Sequence, residues 1–262
     1  MSKITDYPLL ILALSFLTLW LSALIGASVL RRQRSMGEEV REDFGVILAA
    51  TLTLLGLIIG FSFSMAVSRY DQRKNLEEAE ANAIGTEYLR ADLLPPADAA
   101  KVRALIRTYV DQRVQFYTTR DLFYTVGIDG QLRQINDRTA QLQAELWAAV
   151  QGPAAKQPTP ITALAVWGMN DLLNSQGYAQ AAWWNRIPLA AWGLMGLIAV
   201  CCNLLIGYGV RNPRTERTLL LILPLVVSIS FFLIADIDSP RGGVIRVHPQ
   251  NLLSLSESLR AH

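Results

Sequence analysis

The sequence predicts an all-α membrane protein with four transmembrane helices and a helical bundle inserted between the second and third. Three observations predict it. The 262-residue chain is 52% hydrophobic and only 18% charged, and its apolar residues fall in blocks instead of being spread as in a soluble domain. Four blocks, 8–30, 44–68, 187–210 and 218–235, contain no charge and approach or exceed the roughly 20 residues that cross a hydrocarbon core about 30 Å thick. The polar stretch 69–186 shows apolar residues at helical spacing and no alternation of period two.

Each element follows in order. The first block is too long for a signal-peptide core and lacks a small-x-small exit, so it reads as a span. The second runs on as "LLGLIIGFSFSMAVSRYDQRKNLEEAEANAIGTEYLRADLLP", from Leu54 to Pro95, without a Pro or turn signal before its end. One helix is therefore expected to leave the bilayer unbroken, as a stalk or pore wall does and a flexible linker does not. Arg73 and Glu77, and Lys74 and Glu78, are four apart and expected to pair along an exposed face, each pair contributing about 0.3 kcal/mol. Pro95-Pro96 starts the next helix, with Val102, Leu105, Ile106, Tyr109 and Val110 on one side. "GIDG" at 127–130 separates it from a helix carrying Leu132, Ile135, Thr139, Leu142 and Leu146, which "GPAAKQPTP" at 152–160 ends as a stiff loop. A last helix over 161–184 leads to the third span, with Trp183-Trp184 as an interfacial anchor. The expected division is 1–68 for two spans, 69–186 for the bundle, 187–235 for two more spans and 236–262 for a tail.

Composition excludes several function classes. The formal net charge is +2 with no basic run interleaved with aromatics, so no nucleic-acid partner is expected. Cys201 and Cys202 are neighbours that cannot pair without severe strain, and His248 and His262 lie far from any cysteine cluster. No Gly-rich phosphate loop, nucleophile elbow or HExxH occurs. No enzyme activity, metal or cofactor is expected.

The second span carries two ridges. Gly56, Gly60 and Ser64 are spaced by four and make a small-xxx-small ridge that lets a neighbouring backbone approach closely. Thr53, Leu57 and Phe61 form the adjacent ridge, about 100° round the helix. If the small ridge packs on another subunit, the apolar ridge faces a symmetry axis and makes a constriction that gates by dewetting; otherwise both ridges pack within one monomer. Asp236 and Asp238 after the fourth span admit two readings as well. Alternate carboxylates begin a calcium site when further oxygens join them, or they shape a turn that Pro240, Gly242 and Gly243 complete.

The run "GFSFSMAVSRYDQR…EAEAN" resembles the stretch of bacterial bestrophins in which a Gly-Phe of the second membrane helix is followed by Tyr-Asp, Arg and Asn. "DIDSPRGGVIRVHPQNLL" is similar to the bestrophin acidic-Pro-x-Gly turn before an Asn-Leu segment. "EANAIGTEYLRADLLP" and "DIDSPRGGVIRV" are more similar still to bestrophin-like membrane proteins of bacteria and plants. Relative to true bestrophins, Tyr70-Asp71 comes almost a helical turn later after Gly60-Phe61. The resemblance implies a bestrophin-like fold and a homopentameric ion channel in the lipid bilayer. Its central pore is lined by the second helix, with the neck at Phe61, Leu57 and Thr53. Thr53 stands where the family has a large apolar group, so the outermost level is expected to be wider. The resemblance further implies passage of small monovalent anions such as chloride, with cation-selective bacterial members known.

Arg69, Arg73 and Lys74 are expected at the pore mouth, with Asp71, Glu77, Glu78 and Glu80 opposing their field. For orientation, Arg31, Arg32, Arg34, Arg41, Arg211, Arg214 and Arg217 in the short loops nearly balance Lys3, Arg69, Arg73, Lys74, Arg186, Arg241 and Arg246 on the other side. The resemblance decides for cytoplasmic termini and bundle in a bacterial inner membrane. The other readings are a membrane sensor with an extracytoplasmic bundle, for which only about 25 residues after the fourth span are too few to fold an output domain, and an oligomeric scaffold.

Overall fold

The computed structural model describes residues 4–30, 38–120, 128–210 and 218–261. All regular structure among them is helical: α1 (Pro8–Ile25), α2 (Glu38–Arg90), α3 (Pro96–Thr118), α4 (Ile128–Lys156), α5 (Pro160–Trp184), α6 (Leu189–Gly209), α7 (Leu219–Asp238) and α8 (Gln250–Ala261). Lys3, Arg31, Arg32, Arg34, Arg211, Arg214, Arg217 and Gly127 lie outside the described residues, as does the side chain of Arg41. The chain divides into two compact units, 1–68 with 186–246, and 69–185 with 247–262. The expected tail is thus split, its first residues belonging to one unit and its helix α8 to the other.

Among the described residues, four helical stretches are long and apolar enough to cross a membrane: Pro8–Ser28, Asp43–Leu93, Pro160–Gly209 and Leu220–Asp238. Pro8 opens α1 at a position where a missing N–H costs nothing. Pro224 lies inside α7, a placement that membrane helices tolerate. Helix α1 packs against α6 and α7. A Cβ at Gly26 would strike the Leu204 carbonyl, and one at Gly207 the Ala23 carbonyl, so these helices touch backbone to backbone. Small residues make that approach possible where lipid provides no hydrophobic drive between helices. Cys202 is buried in this packing and Cys201 is exposed.

In the second unit α3 packs on α4 and α8, and α4 on α5, around a core that includes Ile84, Val102, Ile106, Leu142, Leu146 and Leu172. The helix starts follow the sequence. Pro96 opens α3. Thr159 caps α5 by accepting from the Thr162 N–H at 3.2 Å, while the Thr162 hydroxyl accepts from the Thr159 N–H at 3.0 Å. Two expectations are corrected. Helix α4 continues through Gly152 and Pro153 to Lys156, so the stiff loop shrinks to 157–159, and Gly130 lies inside its first turn. The tryptophan pair also splits: Trp184 is exposed, but Trp183 is buried against Phe116 and Tyr117, ring centroids 4.9 and 5.5 Å away. Trp183 is a core residue because the α5 register turns it inward, one position from its exposed neighbour.

A charged cluster sits in this core. Arg113 donates through Nε to Glu80 Oε1 at 2.5 Å, and Tyr117 donates to Glu80 Oε2 at 2.9 Å. The Arg113 guanidinium stacks over Phe116, 4.4 Å from the ring centroid. Both members of the pair are fully buried. Burial works against the charge on Arg113, but Glu80 together with Tyr109 and Tyr117 more than offsets it and keeps the guanidinium ionised. Burial and the Glu80 carboxylate push the Tyr117 hydroxyl up, so it remains a donor. We predict that Arg113→Met alone, leaving Glu80 buried and uncompensated, lowers stability by about 3–5 kcal/mol. The double variant Glu80→Leu/Arg113→Met should recover most of it in chemical unfolding of the detergent-solubilised protein. Equal losses in the two variants would show that the orphaned charge is not the cause.

Candidate pore helix

In the membrane unit α2 packs through one side. Leu55, Ser62 and Ala66 are buried, and their spacing keeps them within about 20° of one helix face. The six positions of the two ridges lie about 100–180° away from that face. All six are exposed, Leu57 at 52% and Phe61 at 64%. A Cβ built at Gly56 or Gly60 meets nothing within 4 Å. Neither ridge is used for packing inside its own chain, and the reading in which both pack within one monomer is corrected. Thr53 donates its hydroxyl to the Ala49 carbonyl at 2.8 Å, so its polar group is satisfied within the helix. Only 6% of the apolar stretch of α2 is buried within the chain, against 50% for α7.

In the bundle unit the same helix buries Arg73, Glu77, Glu80, Ile84 and Glu87, in the helical phase of Leu55 and Ala66. This corrects two expectations. Arg73 is 2% exposed and donates through Nε to the Arg69 carbonyl at 3.1 Å. It therefore faces the bundle and not an open mouth. Glu77 is not an exposed partner either. It accepts from the Leu252 N–H at 3.0 Å and from Asn251 Nδ2 at 2.7 Å, which puts a carboxylate at the N-terminus of α8, where N–H groups lack helical partners. Arg69 is half-buried and Lys74 exposed, and the open side of the helix also carries Asp71, Asn75, Glu78 and Asn82.

The turn after α7 is held by its carboxylates. Asp236 accepts from the Val244 and Ile245 N–H groups at 2.7 and 2.8 Å, and Asp238 from the Ile187 N–H at 3.1 Å. Both are buried, as is Pro240. A Cβ at Gly242 would strike the Asp6 carbonyl, and one at Gly243 the Asp236 carbonyl. The Gly242 N–H donates to Ser239 Oγ at 3.2 Å. Both carboxylates thus gather backbone N–H groups around this turn. Asp6 pairs with Arg186 beside them.

Sequence reasoning missed Glu80, Arg113 and Glu87 as buried groups and Glu77 as a cap. A signal existed: positions 73, 77, 80, 84 and 87 repeat at the three-four spacing of a packed helix face, but four of the five are ionisable and read as solvated.

A family model for the bestrophin-like domain matches residues 9–252. No curated relative matches the chain. Among solved structures, crystal structures of a bacterial bestrophin homologue from Klebsiella pneumoniae share the fold. One single-residue variant aligns at a TM-score of 0.61 and 13% identity over 97% of this chain and 98% of the other. Another aligns at 0.62 and 13% over 95% and 94%, and a zinc-phased structure at 0.59 and 13% over 95% and 98%. The fold shared over whole chains, together with a family model covering all four apolar helices and the bundle between them, shows that this chain belongs to the bestrophin-like family of membrane proteins.

Proposed function

We propose that the chain is the subunit of a cyclic homo-oligomer, a pentamer, that conducts small monovalent ions through a neck made by Thr53, Leu57 and Phe61. One observation carries this reading: the apolar ridge and the small-residue ridge of α2 are both bare in the single chain. A small ridge against a neighbouring α2 and an apolar ridge on the axis would use both. A narrow ring of Leu57 and Phe61 would hold water poorly, so an entering ion would lose hydration that the walls do not replace. Mass measurement in lipid discs should give a single oligomer, and Gly60→Leu should loosen it; a monodisperse wild-type monomer ends the pore reading.

The sign of the ion rests on the mouth. The anion reading keeps Lys74 and Arg69 but loses Arg73 to the bundle. Asp71 and Glu78, exposed on the open side of α2, support a second reading of cation passage. In bilayer recordings Leu57→Ala and Phe61→Ala should raise conductance or open probability, while Ile58→Ala changes stability more than current. The reversal potential in a salt gradient should follow the anion on the first reading and the cation on the second. Equal effects at Phe61 and Ile58, or no flux from wild type and Phe61→Ala alike, would return α2 to ordinary packing.

For location we propose a bacterial inner membrane, with the bundle and both termini in the cytoplasm. A phosphatase active only outside the cytoplasm should stay silent when fused to the C-terminus; strong activity reverses the orientation.

A further inference from the structure

Glu87 has no role in the reading above, yet it is a fully buried acid without a hydrogen bond. Its side chain is 0% exposed, and neither carboxyl oxygen has a hydrogen-bond partner. It is closed in by α5 at Gly168, where a Cβ would run into Glu87 Oε2 and into the Arg90 side chain. Only a glycine leaves room for both groups between α2 and α5.

The charges around it do not neutralise it. On α2, Arg90 is the one charge acting on it, and makes no hydrogen bond to it. Helix α5 has a single charged residue, Asp171, which is exposed and of the same sign, and its one tyrosine besides, Tyr178, is also exposed. On the short turn 91–93, Asp92 pairs with Arg103 of α3. Arg103 and Arg107 stack on Tyr88, and Arg107 also donates to the Tyr88 hydroxyl. On α8, which reaches α2 through Leu255 at Gly85, Arg260 pairs with Asp111 and Glu257 is exposed. An ionised Glu87 would thus be a buried carboxylate without a hydrogen bond, which protein interiors disfavour strongly.

We propose that Glu87 is a proton-operated catch between α2 and α5: as the neutral acid it packs against Gly168, and when it loses its proton the two helices part to let water reach the charge. Burial, only partly opposed by Arg90, pushes the carboxyl up to about 8. The neutral acid therefore predominates roughly ten to one at pH 7. The sign follows from linkage. Because the folded value is raised above the unfolded one, the folded state holds the extra proton between about pH 4.5 and 8, and stability falls as pH rises through that window. Above it the loss is complete and the dependence flattens.

The test uses the full-length protein in lipid discs and does not depend on ion conduction. Infrared titration should show a protonated-carboxyl band that persists to about pH 8 and is missing in Glu87→Gln. Between pH 5 and 8 the folding equilibrium constant of wild type should fall by up to about tenfold per pH unit relative to Glu87→Gln. Hydrogen exchange, corrected for intrinsic rates, should quicken above pH 8 around 84–93 and 165–172 in wild type only. A carboxyl that titrates below pH 6, or a pH response that Glu87→Gln leaves unchanged, overturns the proposal. Should Glu87→Gln fail to fold, the wild-type titration decides alone: no carboxyl band surviving at pH 7 overturns it.

Discussion

The packed face of α2 is the constraint on which the rest of the structure depends. A helix of 53 residues that runs from an apolar stretch into a charged one cannot hold one amphipathic stripe in the usual sense, because the meaning of "outside" changes along it. It keeps instead one helical phase for intrachain contact: Leu55, Ser62 and Ala66 in the membrane unit, then Arg73, Glu77, Glu80, Ile84 and Glu87 in the bundle unit. The opposite side is left bare along both lengths, apolar in one and polar in the other. A side with no partner in the chain is open to whatever surrounds the molecule.

Burying ionisable residues along such a face is costly, and three carboxylates show three solutions. Glu77 is satisfied by the N–H end of α8 and an asparagine. Glu80 is matched by a guanidinium and a tyrosine hydroxyl, with aromatic rings closing over the pair. Glu87 receives no hydrogen bond and only the partly opposing charge of Arg90, so burial pushes its carboxyl up to about 8. The same side chain thus serves as a cap, an ion-pair partner or a proton store, according to what the neighbouring helix presents.

The membrane unit solves a different problem, since its helices gain little from excluding lipid from one another. It relies on close backbone approach, at Gly26 and Gly207, and on a turn whose glycines lie flat against carbonyls while Asp236 and Asp238 gather backbone N–H groups. Polar backbone without a helical partner is satisfied there by side chains of the same unit, as buried N–H groups require.

The sequence by itself determined what depends on local chemistry. Charge-free blocks of spanning length, Pro8 and Pro96 at helix starts, the unbroken run from Leu54 towards Pro95 and the Asp-Pro-Gly turn were all legible, because hydrocarbon, proline and glycine constrain the chain wherever it folds. Only the tertiary structure decided which side of each helix is covered. Periodicity gives the phase of a stripe but not its partner, so Arg73 and Glu77 looked like solvated pairs, Trp183 like an anchor, and Gly152-Pro153 like the start of a loop where the helix runs on to Lys156. Whether a charge is exposed, paired or kept neutral is settled by residues far along the chain, Arg113 for Glu80, Leu252 for Glu77 and Gly168 for Glu87, and no local pattern carries that information.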